Sequence, residues 1–285
     1  MSSVFRSRVI ILGCLGILGW FAFLPAQQSA VLDENLTVRF LDVGQGDAIH
    51  IQTPDGYEML IDGGATAQVL RSLAVDRRFF DRDIDVVLAT HPDTDHIGGL
   101  VDVLERYRVQ TILQTNAIND TPVSQAYDVS VQSENAAVVF VQRGDEILLG
   151  ASTTIRVLAP AGDVSLWRSN AASVVVQVQY GEIEFLLTGD APAGIEDYLV
   201  QAYPALIQSE ILKLGHHGSD TSTSEYFLDA VRPDYAVVSA GLDNRYGHPH
   251  PDVVQRVEDR NINLVSTAQA GTITFKTDGV TVWRE

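Results

Sequence analysis

The chain has 285 residues, enough for one large or two small domains, and 46% hydrophobic and 20% charged residues are typical of a globular protein with a substantial core. Its formal net charge of -18 argues against a broad basic surface for gripping nucleic acid. The single cysteine, Cys14, excludes a disulfide framework and a cysteine-based zinc site within one chain.

The first thirty residues differ in composition from the rest. Two arginines, Arg6 and Arg8, precede an apolar run at 9–24, and small residues follow it. This pattern predicts an export signal, and an uncleaved membrane anchor is the alternative, since a basic flank would hold such an anchor inside. We therefore expect residues 1–30 to be a signal peptide or anchor. The protein would then be exported, periplasmic or extracellular, and would meet a membrane only through this segment.

Residues 35–285 are predicted to form one domain, because no linker, repeat or low-complexity block interrupts them. Alternating apolar residues and turn signals predict strands, and apolar residues at helical spacing predict helices. In the first half we predict strands at 36–41, 48–53, 57–61, 84–89, 111–113, 138–141, 147–149 and 153–158, and helices at 68–80 and 97–107, with a further helix between 115 and 135.

The second half repeats this order, with strands first and then strands that alternate with helices. We predict strands at 173–180, 183–188, 211–214 and 235–239, helices at 193–203, 224–231 and 251–260, and final strands near 263, 272 and 280. An α/β fold accommodates this repeated pattern, as an αββα sandwich of two mixed β-sheets flanked by helices.

A cluster of metal-binding side chains follows the strand predicted at 84–89. His91, Asp93, Asp95 and His96 lie within six residues. Imidazole and carboxylate ligands suit zinc, manganese or iron. Capping of the helix that follows would explain one aspartate, but not two histidines and two aspartates together. The cluster therefore predicts a metal centre.

Other candidate ligands lie at the carboxyl ends of later predicted strands. Asp190 follows one strand, the adjacent His216 and His217 follow the next, and His248 lies in a loop rich in glycine and proline after a third. Loops at the strand ends of a rigid sandwich can converge on one site. We therefore expect these residues to meet the first cluster.

These residues lie in a series of motifs that resembles the metallo-β-lactamase-fold hydrolases, and more closely the soluble hydrolase domain of the ComEC/Rec2 DNA-uptake proteins. The segment Thr90 to Gly99 resembles the HxHxDH signature of those hydrolases. Further motifs resemble the ComEC/Rec2 domain, and the resemblance covers about residues 36–284. These motifs lie at residues 40–48, 62–64, 169–173, 187–190 and 213–219, and a last one follows at 244–249.

The resemblance implies a centre of two divalent metal ions. The implied ligands are His91 and Asp93 for one ion, Asp95 and His96 for the second, Asp190 as a bridge between both, and one of His216 and His217, with a preference for His216, to complete the second site. Asp93 stands where most of the superfamily has a second histidine. An oxygen-rich shell of this kind favours manganese relative to zinc, so we expect two ions, Mn or Zn.

Polar residues of the same motifs receive roles around this centre. For catalysis we expect Asp95 to orient the attacking water, and His217 and His248 to contact the scissile phosphate or protonate the leaving group. For substrate binding the candidates are Asn170, Ser173, Lys213, Ser219, Asn244 and Arg245. The residues expected to brace the metal-binding loop from behind are Asp42, Gln45, Asp47 and Asp62.

Two adjacent divalent ions suit phosphodiester hydrolysis, because they lower the pKa of a bound water and stabilise the leaving oxygen. We expect an exported hydrolase whose substrate is DNA, in single-stranded form because the acidic charge counts against tight duplex binding. Three alternatives stay open: a phosphoesterase for small molecules or phosphorylcholine-bearing envelope polymers, a lactamase-like hydrolase, and a non-catalytic metal-binding module. No protein partner is indicated.

Overall fold

The computed structural model describes residues 34–75 and 82–285, and only the backbone of residues 8–11. Apart from those four residues, the predicted export signal lies outside the described part of the chain and stays a prediction. The same holds for the end of the helix predicted at 68–80, of which the structure describes Gln68–Ala74 as helical.

Sixteen strands form the centre of the molecule within the described residues. In chain order they are β1 (Arg8–Ile11), β2 (Leu36–Phe40), β3 (Ile49–Gln52), β4 (Glu58–Ile61), β5 (Asp83–Ala89), β6 (Arg108–Gln114), β7 (Ala137–Phe140), β8 (Asp145–Leu149), β9 (Thr153–Ala159), β10 (Val175–Tyr180), β11 (Ile183–Leu187), β12 (Ile211–Lys213), β13 (Tyr235–Val238), β14 (Asn263–Ser266), β15 (Ile273–Thr277) and β16 (Val282–Arg284).

The helices follow the predicted positions, with one short addition near the end of the chain. They are α1 (Gln68–Ala74), α2 (Thr94–Arg106), α3 (Pro122–Ser133), α4 (Ala193–Ala202), α5 (Glu225–Val231), α6 (Pro251–Glu258) and α7 (Thr267–Ala270), with single 3-10 turns at Asn170–Ala172 and Gly215–Gly218. Among these described helices, none has the length and apolarity needed to cross a membrane.

The strands form two eight-stranded mixed sheets, and this confirms the predicted αββα sandwich. The first sheet has the order β16-β15-β2-β3-β4-β5-β6-β7, and the second the order β1-β8-β9-β10-β11-β12-β13-β14. Helices α1 to α3 pack on the outer face of the first sheet through one apolar cluster, and α4 to α6 cover the second through another. Each half of the chain therefore contributes one sheet and its helices, apart from strands exchanged at the edges.

Alternation along the strands divides the apolar side chains between the layers. In β10, Val176 and Val178 face the other sheet, whereas Val175 faces the helices outside. Between the sheets, Phe275 meets Phe40 and Phe185 edge to face, with ring centroids 6.1 and 6.4 Å apart. Burying each such side chain contributes about 1.5–3 kcal/mol, so the sandwich interior holds the sheets in a fixed relation.

One edge of the sandwich collects the loops that carry the candidate site. Strands β4 to β7 are parallel to one another, as are β11 to β14, so their carboxyl ends lie together at that edge of each sheet. The Val174 backbone N–H donates to the Thr90 carbonyl oxygen at 2.9 Å and links the two sheets there. Ligand sites form at the carboxyl ends of parallel strands in many α/β folds.

Candidate metal centre

The metal-binding motif spans the turn from β5 into α2. The strand ends at Ala89 and the helix begins at Thr94, so residues 90–93 cross the edge of the first sheet. A Cβ atom at Gly99 would collide with the Gly63 carbonyl oxygen. Glycine there lets the start of the helix pack against the loop after β4.

Three buried imidazoles direct the same ring nitrogen into one space. The His96 ring centroid lies 4.0 Å from that of His91 and 5.3 Å from that of His217. Within the described residues, the Nε2 atom of each histidine lacks a hydrogen-bond partner, as does Oδ1 of the adjacent Asp190. Buried polar atoms in native proteins are nearly always paired, so four unpaired ligand atoms in one place fit a bound cation.

The opposite ring nitrogen, Nδ1, is fixed by a hydrogen bond in all three histidines. The partners are the Asp62 carboxylate for His96 at 2.7 Å, the Ser239 carbonyl oxygen for His217 at 2.9 Å, and the Thr90 hydroxyl for His91 at 3.0 Å. Metal-binding histidines usually have such an outer partner, which sets the tautomer and orients the ring. The arrangement leaves each Nε2 free to bind a metal ion.

Asp190 lies in the middle of the imidazoles. Its Oδ1 is 3.2 Å from His96 Nε2, and its Oδ2 is 3.7 Å from His217 Nε2 and 3.9 Å from His91 Nε2. The backbone N–H of Asp190 donates to the Ser173 hydroxyl at 3.2 Å, which holds the turn after β11 in place. A carboxylate within 4 Å of all three imidazoles is suited to the predicted bridging position.

Asp93 and Asp95 lie on the two sides of this centre. Asp93 Oδ2 is 3.6 Å from His91 Nε2, and Asp95 Oδ2 is 3.2 Å from His217 Nε2. Asp95, His96 and His217 offer ligand atoms that all lie within 4.8 Å of one another. Zinc–nitrogen and zinc–oxygen bonds of about 2.0–2.2 Å are compatible with that separation. The described residues therefore form a possible His/Asp metal site.

His216 and His217 both have a left-handed backbone, with φ of 48° and 55°. This conformation costs roughly 1–2 kcal/mol for a residue with a Cβ atom, and such strain clusters at functional sites. It sends the two side chains to different places. His217 is buried beside Asp95, whereas the His216 side chain is 28% exposed.

The geometry therefore favours His217 over His216 as the ligand that accompanies Asp95 and His96, and the predicted preference for His216 is revised. His216 Nε2 lies 3.7 Å from Asp190 Oδ2 and 3.2 Å from Asn170 Nδ2. His216 therefore lies next to Asp190 at the solvent-accessible face of the centre, which we call its open side.

The imidazoles lie in a strongly negative field. Burial lowers the pKa of His96, but the carboxylates of Asp190 and Asp62 outweigh burial and raise that pKa well above its usual range. Burial likewise opposes protonation of His217, yet Asp190 and Asp47 raise its pKa to about 9. Such a concentration of carboxylates favours positive charge at this place, and a divalent cation is one group that could supply it.

Lys213 supplies one positive charge from beneath the centre. Its ammonium group is fully buried, lies 2.5 Å from Asp47 Oδ2 and donates to the Gly189 carbonyl oxygen at 2.9 Å. Lys213 was predicted to contact substrate; the structure places its charge on the inner side of the centre, enclosed and paired. Lys213 is the last residue of β12 and a turn follows it. The sequence does not show in which direction a side chain at the end of a strand points.

The open side of the centre carries aromatic and cationic groups. The His248 ring centroid lies 5.5 Å from that of His216 and 5.8 Å from that of Tyr246, and the Arg245 guanidinium lies 4.8 Å from the Tyr246 centroid. Burial lowers the pKa of both His216 and His248; the Asp190 carboxylate opposes this at His216, whereas the neighbouring imidazoles of His216 and His217 add to it at His248. Both imidazoles are therefore neutral near pH 7 and suited to proton transfer.

The other predicted substrate-binding residues divide by exposure. Arg245 is exposed and Asn170 is half-buried beside His216, so both can reach a bound molecule. Ser173 and Ser219 are buried, and the Asn244 amide is used by four hydrogen bonds within its own loop. These three residues hold the loops that present the site, and their contact with substrate stays a prediction.

Of the four residues predicted to brace the metal-binding loop, two contact the imidazoles of the centre. Asp62 fixes His96, and Asp47 lies between Lys213 and the imidazoles. Gln45 instead accepts from a backbone N–H in the loop after β13. The Asp42 carboxylate accepts from the nearby Gly44 N–H, and within the described part of the chain it has no hydrogen bond to the imidazoles of the centre.

Three residues with a clear place at the centre were missed by the sequence interpretation. Thr90 bridges Asp62 and His91 through its hydroxyl, Asn119 donates to Asp93 Oδ1 at 2.9 Å, and Tyr246 packs on the open side. The position of Thr90 inside the motif was an available signal. Asn119 lies in a polar stretch with no pattern, so nothing local marked it.

Comparison with known proteins places these motifs in a family. Residues 41–241 match the model of the metallo-beta-lactamase superfamily. The chain is 30% identical over 258 residues to ComE operon protein 3 of Bacillus subtilis (strain 168), and 30% identical over 268 residues to competence protein ComA of Neisseria gonorrhoeae. These alignments cover 84% and 92% of this chain but only 33% and 36% of the relatives, so the chain spans about a third of their length.

A solved structure of similar fold is the metallo-beta-lactamase fold protein YhfI from Bacillus subtilis. The TM-score is 0.58 at 12% sequence identity, over 85% of this chain and 100% of that one. This likeness concerns the fold. Because the family model covers well over half of the chain, the chain belongs to the metallo-β-lactamase superfamily, and its relatives include the competence proteins that the motifs resemble.

Proposed function

We propose that this protein is a metal-dependent hydrolase of phosphodiester bonds, with two divalent ions, Mn or Zn, and DNA as its substrate. The observation that carries the proposal is the meeting of His91, His96 and His217 around Asp190, with every Nε2 atom unpaired and every Nδ1 atom held. The ions would be held by these four residues with Asp93 and Asp95. When bound, they would supply an activated water and neutralise charge on the phosphate.

The protein's own residues would prepare the substrate on the open side. Arg245 is exposed there and can pair with a phosphate of the strand. His216 and His248 can contact the scissile phosphate, and either imidazole, when protonated, can give its proton to the leaving oxygen. Asp95, fixed against His217, can orient the attacking water. These groups reach the centre from three segments of the chain, with Arg245 and His248 in the same loop after β13.

DNA is the favoured substrate because of the resemblance to the ComEC/Rec2 domain and the similarity to proteins named for competence. The net charge of -18 leaves little cationic surface for a duplex, which favours a single strand led into the site. Export through residues 1–30 is part of the same proposal, because an uptake-related nuclease would meet incoming DNA outside the cytoplasm.

The test combines metal analysis with hydrolysis. We expect purified protein to bind two Mn or Zn ions per chain and to cleave labelled single-stranded DNA in their presence. Asp190→Asn should lose metal and lower cleavage at least a hundredfold, since one ligand to each ion is weakened. Asp197→Asn, an exposed aspartate on the helix that follows, is the matched control and should behave like the wild type.

The substrates that the protein hydrolyses distinguish the proposed nuclease from the alternative functions. Cleavage of p-nitrophenyl phosphodiesters without any cleavage of DNA would overturn the nuclease proposal in favour of a small-molecule or envelope-polymer phosphoesterase. Bound metal without hydrolysis of either substrate would indicate a non-catalytic metal-binding module.

A further inference from the structure

A cavity of about 240 Å³ opens beside the metal centre, between the start of α2, the end of β6 and helix α3. It shares His91 with the centre, and Asn119 in its wall donates to the ligand Asp93. Its volume is just below the roughly 300–1,000 Å³ of pockets for drug-sized ligands. The space therefore suits one small group of a substrate whose reacting bond lies at the ions.

The chemistry of the lining excludes a phosphate in this cavity. No lysine or arginine is among the lining residues, and the one acidic side chain, Asp128, would repel an anion. The walls instead offer neutral amides and hydroxyls and several apolar surfaces. Such a lining matches an uncharged ring with hydrogen-bonding edges.

Two amides retain hydrogen-bonding capacity toward the cavity. Asn119 Nδ2 is used by Asp93 and the Pro92 carbonyl oxygen, while its Oδ1 has no partner among the described residues. Gln114 uses one amide atom, Oε1, for the Tyr127 hydroxyl at 3.1 Å, and its Nε2 is likewise unpaired. One acceptor and one donor are therefore available, which is the combination that the edge of a nucleobase requires.

The rim of the cavity carries a large apolar surface that the fold does not bury. Phe140, the last residue of β7, is 57% exposed, and Ile118 is 73% exposed. An exposed aromatic ring at a cavity mouth is a suitable stacking surface, because every nucleobase has a π-face.

We propose that this cavity binds one nucleobase next to the scissile phosphodiester, with its edge toward Gln114 and Asn119 and its face on Phe140. The inference rests on the proposed function in that the base belongs to a nucleotide whose phosphate reaches the ions. It adds a subsite: the ions would hold the phosphate, and this neutral cavity would position the nucleotide.

Binding without hydrolysis tests this subsite directly. In EDTA, titration calorimetry on the full chain compares thymidine 5′-monophosphate, a single-stranded dT tetranucleotide and 2-deoxyribose 5-phosphate. We expect the first two to bind and the base-free sugar phosphate to bind at least tenfold more weakly. Phe140→Ala should weaken both nucleotide ligands by about fivefold or more, as loss of one stacked base does. Val138→Ala, two residues earlier on the same strand and 41% exposed, is the matched control and should change neither.

The two nucleotide ligands distinguish a free nucleotide from a strand. If Phe140→Ala weakens the binding of the mononucleotide and of the tetranucleotide by the same factor, each site binds one base, whether a free nucleotide or a strand supplies it. Equal affinity for the base-free sugar phosphate, or unchanged affinities in Phe140→Ala, would overturn the subsite even if the protein cleaves DNA. Nucleotide binding that depends on Phe140 in a protein without hydrolytic activity would leave the subsite in place and remove the proposed function.

Discussion

Lys213 gives the sharpest quantitative prediction, because its buried charge is paired with another buried charge. The ammonium group lies 2.5 Å from Asp47 Oδ2 and 3.9 Å from Asp190 Oδ1, and all three side chains are at most 4% exposed. Lys213→Met keeps most of the volume and removes the charge. Asp47 is then left ionised without its strongest partner.

Breaking a buried ion pair from one side costs about 3–5 kcal/mol, since the remaining charge stays desolvated. We expect Lys213→Met to lower the free energy of unfolding by that amount in EDTA. Adding Asp47→Asn should recover at least half of the loss, because the uncompensated carboxylate is gone. Saturating Mn or Zn should also reduce the loss, as a cation beside Asp190 replaces part of the missing charge.

The assay is urea unfolding followed by far-UV circular dichroism, with linear extrapolation to water. Lys276→Met is the matched control: its ammonium is 2.8 Å from Glu285 Oε1 at the surface, where an ion pair contributes about 0–1 kcal/mol. A loss below about 1 kcal/mol for Lys213→Met, or no recovery in the double variant, would refute the argument that the buried lysine balances the aspartates.

Three further predictions concern other parts of the molecule. Burial and the neighbouring Glu210 raise the pKa of Glu184 to about 7, above the value of 4.5 in an unfolded chain, so its contribution to stability is present below pH 4.5 and is lost as pH rises through 7. The melting temperature of Glu184→Gln should equal that of the wild type near pH 4.5 and exceed it at pH 8. Equal melting temperatures of variant and wild type at both pH values would contradict this. Glu196 is fully buried and accepts from two backbone N–H groups at the start of α5. In urea unfolding, Glu196→Ala should therefore lower the free energy of unfolding by about 2–3 kcal/mol, and Glu196→Gln should lower it by less. Equal losses in the two variants would show that the ionised oxygens do not matter. His216→Gly places glycine at a left-handed backbone position, so the free energy of unfolding should stay within about 1 kcal/mol of the wild type. The rate of DNA cleavage should fall at least a hundredfold. A fully active variant would show that His216 takes no part in proton transfer.

The fold was largely predictable because its elements are locally determined. Val176 and Val178 alternate with residues that face outward, and Ile97, Leu100 and Leu104 recur on one face of α2, so periodicity identifies both a strand and a helix. The helix α7 and the 3-10 turns were not predicted, since they are too short to show a period.

The site was predictable in its membership and less so in its orientations. His91, His96, His217 and Asp190 were identified because their residue types and motif spacing suit metal binding. The directions of Lys213 and of the His216–His217 pair depend on two left-handed residues and on packing between the sheets, which no local pattern encodes. Which side chains are enclosed and which face the open side of the centre is therefore the part that required the structure.

The division of the ligands between the two sheets has a consequence for folding. His91 and His96 follow β5 of the first sheet, while Asp190 and His217 follow β11 and β12 of the second. The two groups are 94 positions apart at their nearest, from His96 to Asp190, so the ligands can meet only after both sheets have formed and packed. During synthesis the first half would carry an incomplete ligand set. Hydrolytic activity would therefore be acquired only at the last stage of folding, and a bound ion would favour the fully packed molecule over every partly folded one.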